Sequence, residues 1–311
     1  MIPFVSRADV AEQTNWIEQL SAAMPNEVIV PLNDLTLEQR LQCDIAIVAN
    51  PNPSDLLSLP SLKWVHSVWA GVERMLNELE SPPFSIVRLI DENLSATMSE
   101  AVLAWTLYLH RDMPIYAKQQ ANTVWQQQPM VHAKDRRIGV LGLGELGRVS
   151  AQRLAANGFS VAGWSRHPKQ IDGVECFYGE DGLTHLLKQT DILVCLLPLT
   201  KETQGLMGQQ NLSFLPIGAS LINFARGPVI DDEALLKKLE TGDMSHAVLD
   251  VFVQEPLAQE HAYWKHDRVT VLPHISAPTH LVSASEIVAK NIKAYRLTGN
   301  IPPAVDLLRG Y

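Results

Sequence analysis

RIGVLGLGELGRVSAQRLAANGFSVAGWSRHPK, residues 137–169, is the stretch on which the fold turns. Ile138–Leu141 is an apolar run of strand length. Glycines follow at 142, 144 and 147, then a helix-compatible segment to Asn157, a glycine stop at 158 and a second apolar run, Phe159–Trp164. This is G-x-G-x-x-G between strand and helix inside a βαβ unit, the fingerprint of a dinucleotide site. Each glycine has its own reason. Gly142 allows the tight turn, Gly144 lets a pyrophosphate approach the backbone, and Gly147 lets the helix pack close on the strand. The helix start, at Glu145 and Leu146, offers free N–H groups and a positive dipole end to phosphates.

The tip of the second strand indicates which dinucleotide. A site for NAD places an acid about 20 residues after the first glycines, to accept from the ribose 2′-OH. Here the segment is Trp164-Ser165-Arg166-His167-Pro168-Lys169, with no acid. Arg166 brings a planar fork of donors suited to phosphate, Ser165 a hydroxyl, and Lys169 a second cation. The expected cofactor is therefore NADPH, with NADH bound more weakly.

A chain of 311 residues leads to an expectation of two domains. Hydrophobic content of 46% against 19% charged is ordinary globular composition. A net charge of −9 argues against nucleic acid and anionic membranes as partners. The cysteines, Cys43, Cys176 and Cys195, are odd in number and far apart, so neither a disulfide framework nor a zinc site is expected. They fit a reducing cytoplasm. The opening MIPFVSRADVAEQ lacks the pattern of a signal peptide. The densest apolar stretch, Ala101–Leu109, is too short to span a bilayer and reads as a buried helix.

Outside the fingerprint the rhythm continues. Val28–Val30, Asp44–Val48, Trp64–Val68 and Ile86–Ile90 read as strands before it, alternating with helical stretches. Residues 99–119 read as one long helix. After the fingerprint come strands at Asp191–Leu196, Ser220–Phe224, Ala247–Val251 and Arg268–Leu272, with a helix at Asp231–Leu239. Ser283–Leu297 reads as the last helix, Ser283 and Glu286 being spaced as a capping box. The expectation is an α/β chain of two doubly wound parallel sheets. One is a six-stranded Rossmann nucleotide domain over residues 99–281. The other is a flavodoxin-like substrate domain built from 1–98 and 282–311.

Ligands of such sheets bind beyond the carboxyl ends of the strands. Three polar residues fall there: Arg226, Glu255 and His274. Singly, each has an ordinary structural reading, as a capping cation, a turn residue and one of ten histidines. Together they suit reduction of a 2-keto acid, which needs a cation for the carboxylate and carbonyl and a donor for the developing alkoxide. Histidine is the natural donor near neutrality, and a neighbouring carboxylate raises its pKa.

GLGELG (142–147), NFARG (223–227), LDVFVQEP (249–256) and LPHISA (272–277), in this order and spacing, resemble the D-isomer-specific 2-hydroxyacid dehydrogenases. The likeness runs through nearly the whole chain. The WSR turn, SVWAGVE at 67–73, ATMSEAV at 96–102 and the terminal RGY look most like members that reduce glyoxylate and hydroxypyruvate. The resemblance implies that Arg226 binds substrate carboxylate and carbonyl, that His274 is the acid/base, and that Glu255 keeps His274 protonated. It implies substrate contacts at Trp69, Ala70, Gly71 and Val72, with the N–H groups around Ala70–Val72 on the carboxylate. Pro198, Ala225 and Asp250 join the fingerprint and the WSRHPK turn as cofactor contacts. It also implies a homodimer formed through the nucleotide domain. Two positions depart from the family pattern: Glu73 stands where Asp is usual, and Ala49-Asn50-Pro51 lacks the aromatic many related reductases carry. Rival readings are a reductase of bulkier 2-keto acids and, in another class, a nucleotide-sensing corepressor-like protein.

Overall fold

The computed structural model describes residues 1–79 and 81–307, so the terminal RGY lies outside the described residues. In chain order, the first strands and helices are β1 (Ile2–Ser6), α1 (Val10–Ala23), β2 (Ile29–Pro31), α2 (Leu37–Arg40), β3 (Ile45–Ala49), α3 (Pro53–Leu56), β4 (Trp64–Ser67), α4 (Glu73–Glu78) and β5 (Ser85–Val87). Helices α5 (Glu92–His110) and α6 (Met113–Ala121) follow. Then come β6 (Arg137–Leu141), α7 (Glu145–Ala156), β7 (Ser160–Ser165), β8 (Glu175–Tyr178), α8 (Gly179–Lys188) and β9 (Ile192–Cys195). The chain closes with α9 (Gln209–Ser213), β10 (Ala219–Asn223), α10 (Asp232–Glu240), β11 (Met244–Leu249), β12 (Val269–Val271) and α11 (Leu281–Thr298). Two compact units result, one of residues 1–94 with 279–311 and one of residues 95–278.

The first unit is a five-stranded parallel sheet in the order β2-β1-β3-β4-β5, the flavodoxin-like winding. Its central strand explains the pattern. All five residues of Ile45–Ala49 are buried, with Ile45, Ile47 and Ala49 on one face and Ala46 and Val48 on the other. A strand covered on both sides reads as an unbroken apolar run. The first face packs on α1 and α11 through Trp16, Leu20, Ala284, Val288 and Ile292. Strand β1 is absent from the sequence reading. Its Pro3 sits inside a central strand, where a residue without an N–H is ordinarily excluded.

The second unit is a seven-stranded parallel sheet, β12-β11-β10-β9-β6-β7-β8, the Rossmann winding with an added strand. Seven strands replace the expected six. The added strand of the winding is β12; the one the sequence did not announce is β8, an edge strand paired with β7 that has no fully buried residue and so no apolar run. Leu141, Leu193, Leu221 and Leu249 face α8 and α10, whereas Ile138, Val140, Val194 and Val248 face α5 and α7.

Two helix expectations are corrected. The helix read over 99–119 starts earlier and is two helices, α5 and α6, broken at Arg111–Asp112. Pro114 has no N–H to give the His110 carbonyl, so the helix stops and restarts through Asp112 in a left-handed conformation, φ 55°. The last helix begins at Leu281, not Ser283. His280 caps it by accepting the Ser283 N–H at 3.3 Å. The Ser283 hydroxyl instead donates to buried Asp91 at 2.7 Å, so no capping box forms.

Candidate active site

The fingerprint turn is held open by its glycines. Gly142, with φ +95°, donates its N–H to the Trp164 carbonyl at 2.9 Å, tying the turn to the end of β7. A Cβ on Gly147 would overlap the Gly142 carbonyl, which forces glycine where α7 crosses the strand. A Cβ on Gly144 would meet nothing within 4 Å. Gly144 is the N-cap of α7 and has no side chain to cap it, so the N–H groups at Glu145 and Leu146 open an anion site. These residues fit a dinucleotide pyrophosphate.

At the tip of β7 the cations are less free than the sequence suggests. Arg166 lies 3.4 Å from the carboxylate of Glu202, in the loop after β9. The Ser165 hydroxyl donates to the His167 carbonyl at 2.7 Å. Lys169 is exposed. Pro198 is half-buried, and its carbonyl accepts from the Thr203 hydroxyl at 2.6 Å.

Adjacent strands β10, β11 and β12 lead to Arg226, Glu255 and His274 at one end of the sheet. Glu255 is clamped at both oxygens: one accepts the Phe252 N–H at 2.9 Å, the other lies 2.8 Å from His274 Nδ1. That contact fixes the imidazole with Nδ1–H toward the carboxylate and leaves Nε2 for a substrate. The hydrogen bond to Glu255 raises the His274 pKa, against burial and the nearby Arg226 charge. Burial pushes Glu255 upward, but the bonds from His274 and Phe252 and the charges of His274 and Arg226 outweigh it and hold the acid below its usual range. Arg226 thus acts on both partners. Its Nη1 donates to the Ala225 carbonyl at 2.7 Å.

Three positioning groups escaped the sequence reading. Asn223, buried at the end of β10, accepts the Ala225 N–H at 3.1 Å and donates to the Arg226 carbonyl at 3.2 Å, which pins the loop that carries the arginine. Gly227 is forced by a neighbour, because any Cβ there would overlap the Phe252 backbone. Asp250, expected only as a cofactor contact, has both oxygens on the chain after His274, taking the Ile275 N–H at 2.7 Å and the Ser276 N–H at 2.9 Å. His274 itself has φ 55°, and a non-glycine residue in that region needs such restraint. An Asn or Asp at the last position of a strand, as Asn223, or just past it, as Asp250, is the signal that could have found both.

In the other unit, the loop after β4 is committed at its start. The Trp69 N–H donates to the Ser67 hydroxyl at 3.0 Å and the Trp69 carbonyl accepts from Leu89 at 3.1 Å. Ala70 and Gly71 are half-exposed, and Val72 is buried. Asn50, left-handed at φ 47°, occupies the position without an aromatic and accepts from Arg74 at 3.1 Å. Among the described residues no cluster of three or more His, Cys, Asp or Glu is placed to hold a metal. Among the described residues no helix is long and apolar enough to cross a membrane.

The family described as D-isomer specific 2-hydroxyacid dehydrogenase, NAD binding domain, matches residues 103–276. Glyoxylate/hydroxypyruvate reductase A of Yersinia enterocolitica is 37% identical over 307 residues, 96% of this chain and 97% of that protein. A D-isomer specific 2-hydroxyacid dehydrogenase from Xanthobacter autotrophicus, solved with NADPH and MES, superposes with a TM-score of 0.92 at 36% identity, covering 99% of each chain. The NADPH-dependent glyoxylate/hydroxypyruvate reductase of Sinorhizobium meliloti, solved with NADP and sulfate, gives 0.88 at 31% identity over the full length of both.

Proposed function

Because the chain belongs to the D-isomer specific 2-hydroxyacid dehydrogenase family, we propose that it reduces small 2-keto acids with NADPH, glyoxylate to glycolate and hydroxypyruvate to D-glycerate. The observation that carries this reading is the 2.8 Å pair of His274 and Glu255, past the two strands next to the one that leads to Arg226, in the sheet that bears the fingerprint. The reduced nicotinamide, when bound, supplies the hydride. Arg226 holds the substrate carboxylate and polarises its carbonyl with a forked cation. His274 gives its Nε2 proton to the oxygen as negative charge develops there, and Glu255 stabilises the imidazolium beforehand.

The decisive assay is NADPH oxidation against a panel of small 2-keto acids. Highest kcat/KM is expected for glyoxylate or hydroxypyruvate. A preference for bulky keto acids would move the substrate assignment, and binding without turnover would make the chain a nucleotide sensor.

The cofactor reading rests on Arg166. A charge-assisted bond to a 2′-phosphate contributes about 1.5–3 kcal/mol, roughly 10- to 150-fold in binding. Arg166→Asp is expected to lose NADPH affinity on that scale while NADH binds equally or slightly better, the new acid accepting from the ribose hydroxyl. Fluorescence titration of both cofactors reads this directly, and unchanged NADPH affinity would remove the turn from the site.

The assembly we propose is a homodimer formed through the nucleotide unit. Trp125, 98% exposed, and Met130, 76% exposed, lie beyond α6 with their apolar surface outward. Such a run calls for a covering surface, and sedimentation of the purified chain measures the mass. Cys43, Cys176 and Cys195 are all free thiols, which suits a reducing cytoplasm.

A further inference from the structure

In this sheet, β9 lies beside β6 and β6 beside β7. The loop after β9 and the turn after β7 therefore flank the fingerprint turn between them. Glu202 reaches across from that loop to Arg166, which brings a carboxylate to the place where the β7 tip itself has none.

The carboxylate is held there by more than its cation. The same oxygen that faces Arg166 accepts the Thr200 hydroxyl at 2.8 Å. Thr200 is fixed in turn, its N–H donating to Thr203 Oγ1 at 2.8 Å while that hydroxyl donates to the Pro198 carbonyl at 2.6 Å. The Thr200 bond first, with Arg166 and Lys201 assisting, keeps Glu202 below its usual pKa, so it is fully charged at neutrality.

We infer that Glu202 is a specificity-determining residue that restrains the preference for NADPH over NADH. This rests on the reading of Arg166 as the 2′-phosphate ligand. A phosphate bearing nearly two negative charges must displace or share the Glu202 contact with Arg166 and then sit beside a fixed carboxylate. The uncharged ribose hydroxyl of NADH meets no such repulsion and finds an acceptor. Glu202 thus supplies from a neighbouring loop part of what an acid at the strand tip supplies in NAD sites. The discrimination of this enzyme is accordingly set by a balance between one arginine and one glutamate, both partly exposed to solvent and open to salt.

Glu202→Gln tests it, because glutamine keeps an oxygen for the Thr200 hydroxyl and removes only the charge. Dissociation constants for NADPH and NADH are measured by nucleotide fluorescence on wild type and variant, at low salt and at high salt. The expected result is NADPH bound about 3- to 10-fold more tightly by the variant at low salt, NADH bound no better, and a gain that shrinks as salt screens the charge. A ratio of the two affinities unchanged within about twofold, or narrowed, overturns the inference. The Arg166→Asp titration separates this from failure of the parent reading. A wild type indifferent to the 2′-phosphate and unaffected by Arg166→Asp overturns both. An intact Arg166 effect with no Glu202 effect overturns only the role of Glu202.

Discussion

Replacing His274 with asparagine is expected to lower the rate of keto-acid reduction by roughly 10²–10⁴, the usual worth of general acid catalysis. Asparagine keeps a polar group beside Glu255 but carries no proton near neutrality. Single-turnover NADPH oxidation isolates the step, and a wild-type rate would remove His274 from the chemistry. The sign of the pH dependence follows from the Glu255 contact. That hydrogen bond raises the His274 pKa above its ordinary 6.5, and reduction needs the imidazolium, so activity falls as pH rises through the elevated value. Glu255→Gln removes the charge and most of the stabilisation, so the falling limb moves to lower pH. A limb that stays in place would leave Glu255 a structural residue.

The second large effect is on stability in acid. His66, in β4, and His246, in β11, are buried and each has its pKa pushed down to about 4 from 6.5. Burial is the main cause for both. For His66 the Ser67 carbonyl opposes it, and for His246 the charges of His266 and Arg268 assist. Both stay neutral when folded and would charge on unfolding below pH 6.5. The unfolded chain therefore binds more protons between pH 6.5 and about 4, and stability is full above that window and drains as pH falls through it. Each histidine is expected to remove roughly 3 kcal/mol by the lower end. Since one lies in each unit, neither unit escapes. Urea midpoints across pH 7 to 4 measure the loss. Ring-proton NMR assigns it, because both imidazoles should titrate near 4, and normal titration near 6.5 in the folded protein would contradict this account.

How much of this was legible in the sequence depended on whether a residue's reason is local. The glycines of the fingerprint were legible because turn, phosphate approach and helix packing all occur within six residues. Ile45–Ala49 was legible because a strand buried on both faces is apolar throughout. Arg226, Glu255 and His274 were legible as a set through their places past strand ends, though the Glu255–His274 contact spans 19 residues. What stayed hidden depends on partners distant in the chain. Glu202 meets Arg166 across 36 residues, so the acid that bears on cofactor choice lay outside any window drawn around the turn. Asp250 looked like a ligand residue, and its grip on residues 275 and 276 needed the two strands side by side. Strands β1 and β8 were hidden for opposite reasons, one by an internal proline and the other by its exposure at an edge.

The close approach at Gly227 has a consequence for anyone altering this enzyme by directed evolution. Because no Cβ fits between that residue and the Phe252 backbone, the segments bearing Arg226 and Glu255 behave as one mechanical part, fused without a covalent link. A library that randomises 227 spends its diversity on prying the anion clamp away from the proton relay, and its survivors will be glycine revertants. Variation placed at Asn50 and Arg74, which bond one another at 3.1 Å, changes the surroundings of the loop after β4 and alters none of residues 223–255. Diversity is therefore better placed outside residue 227 than on it.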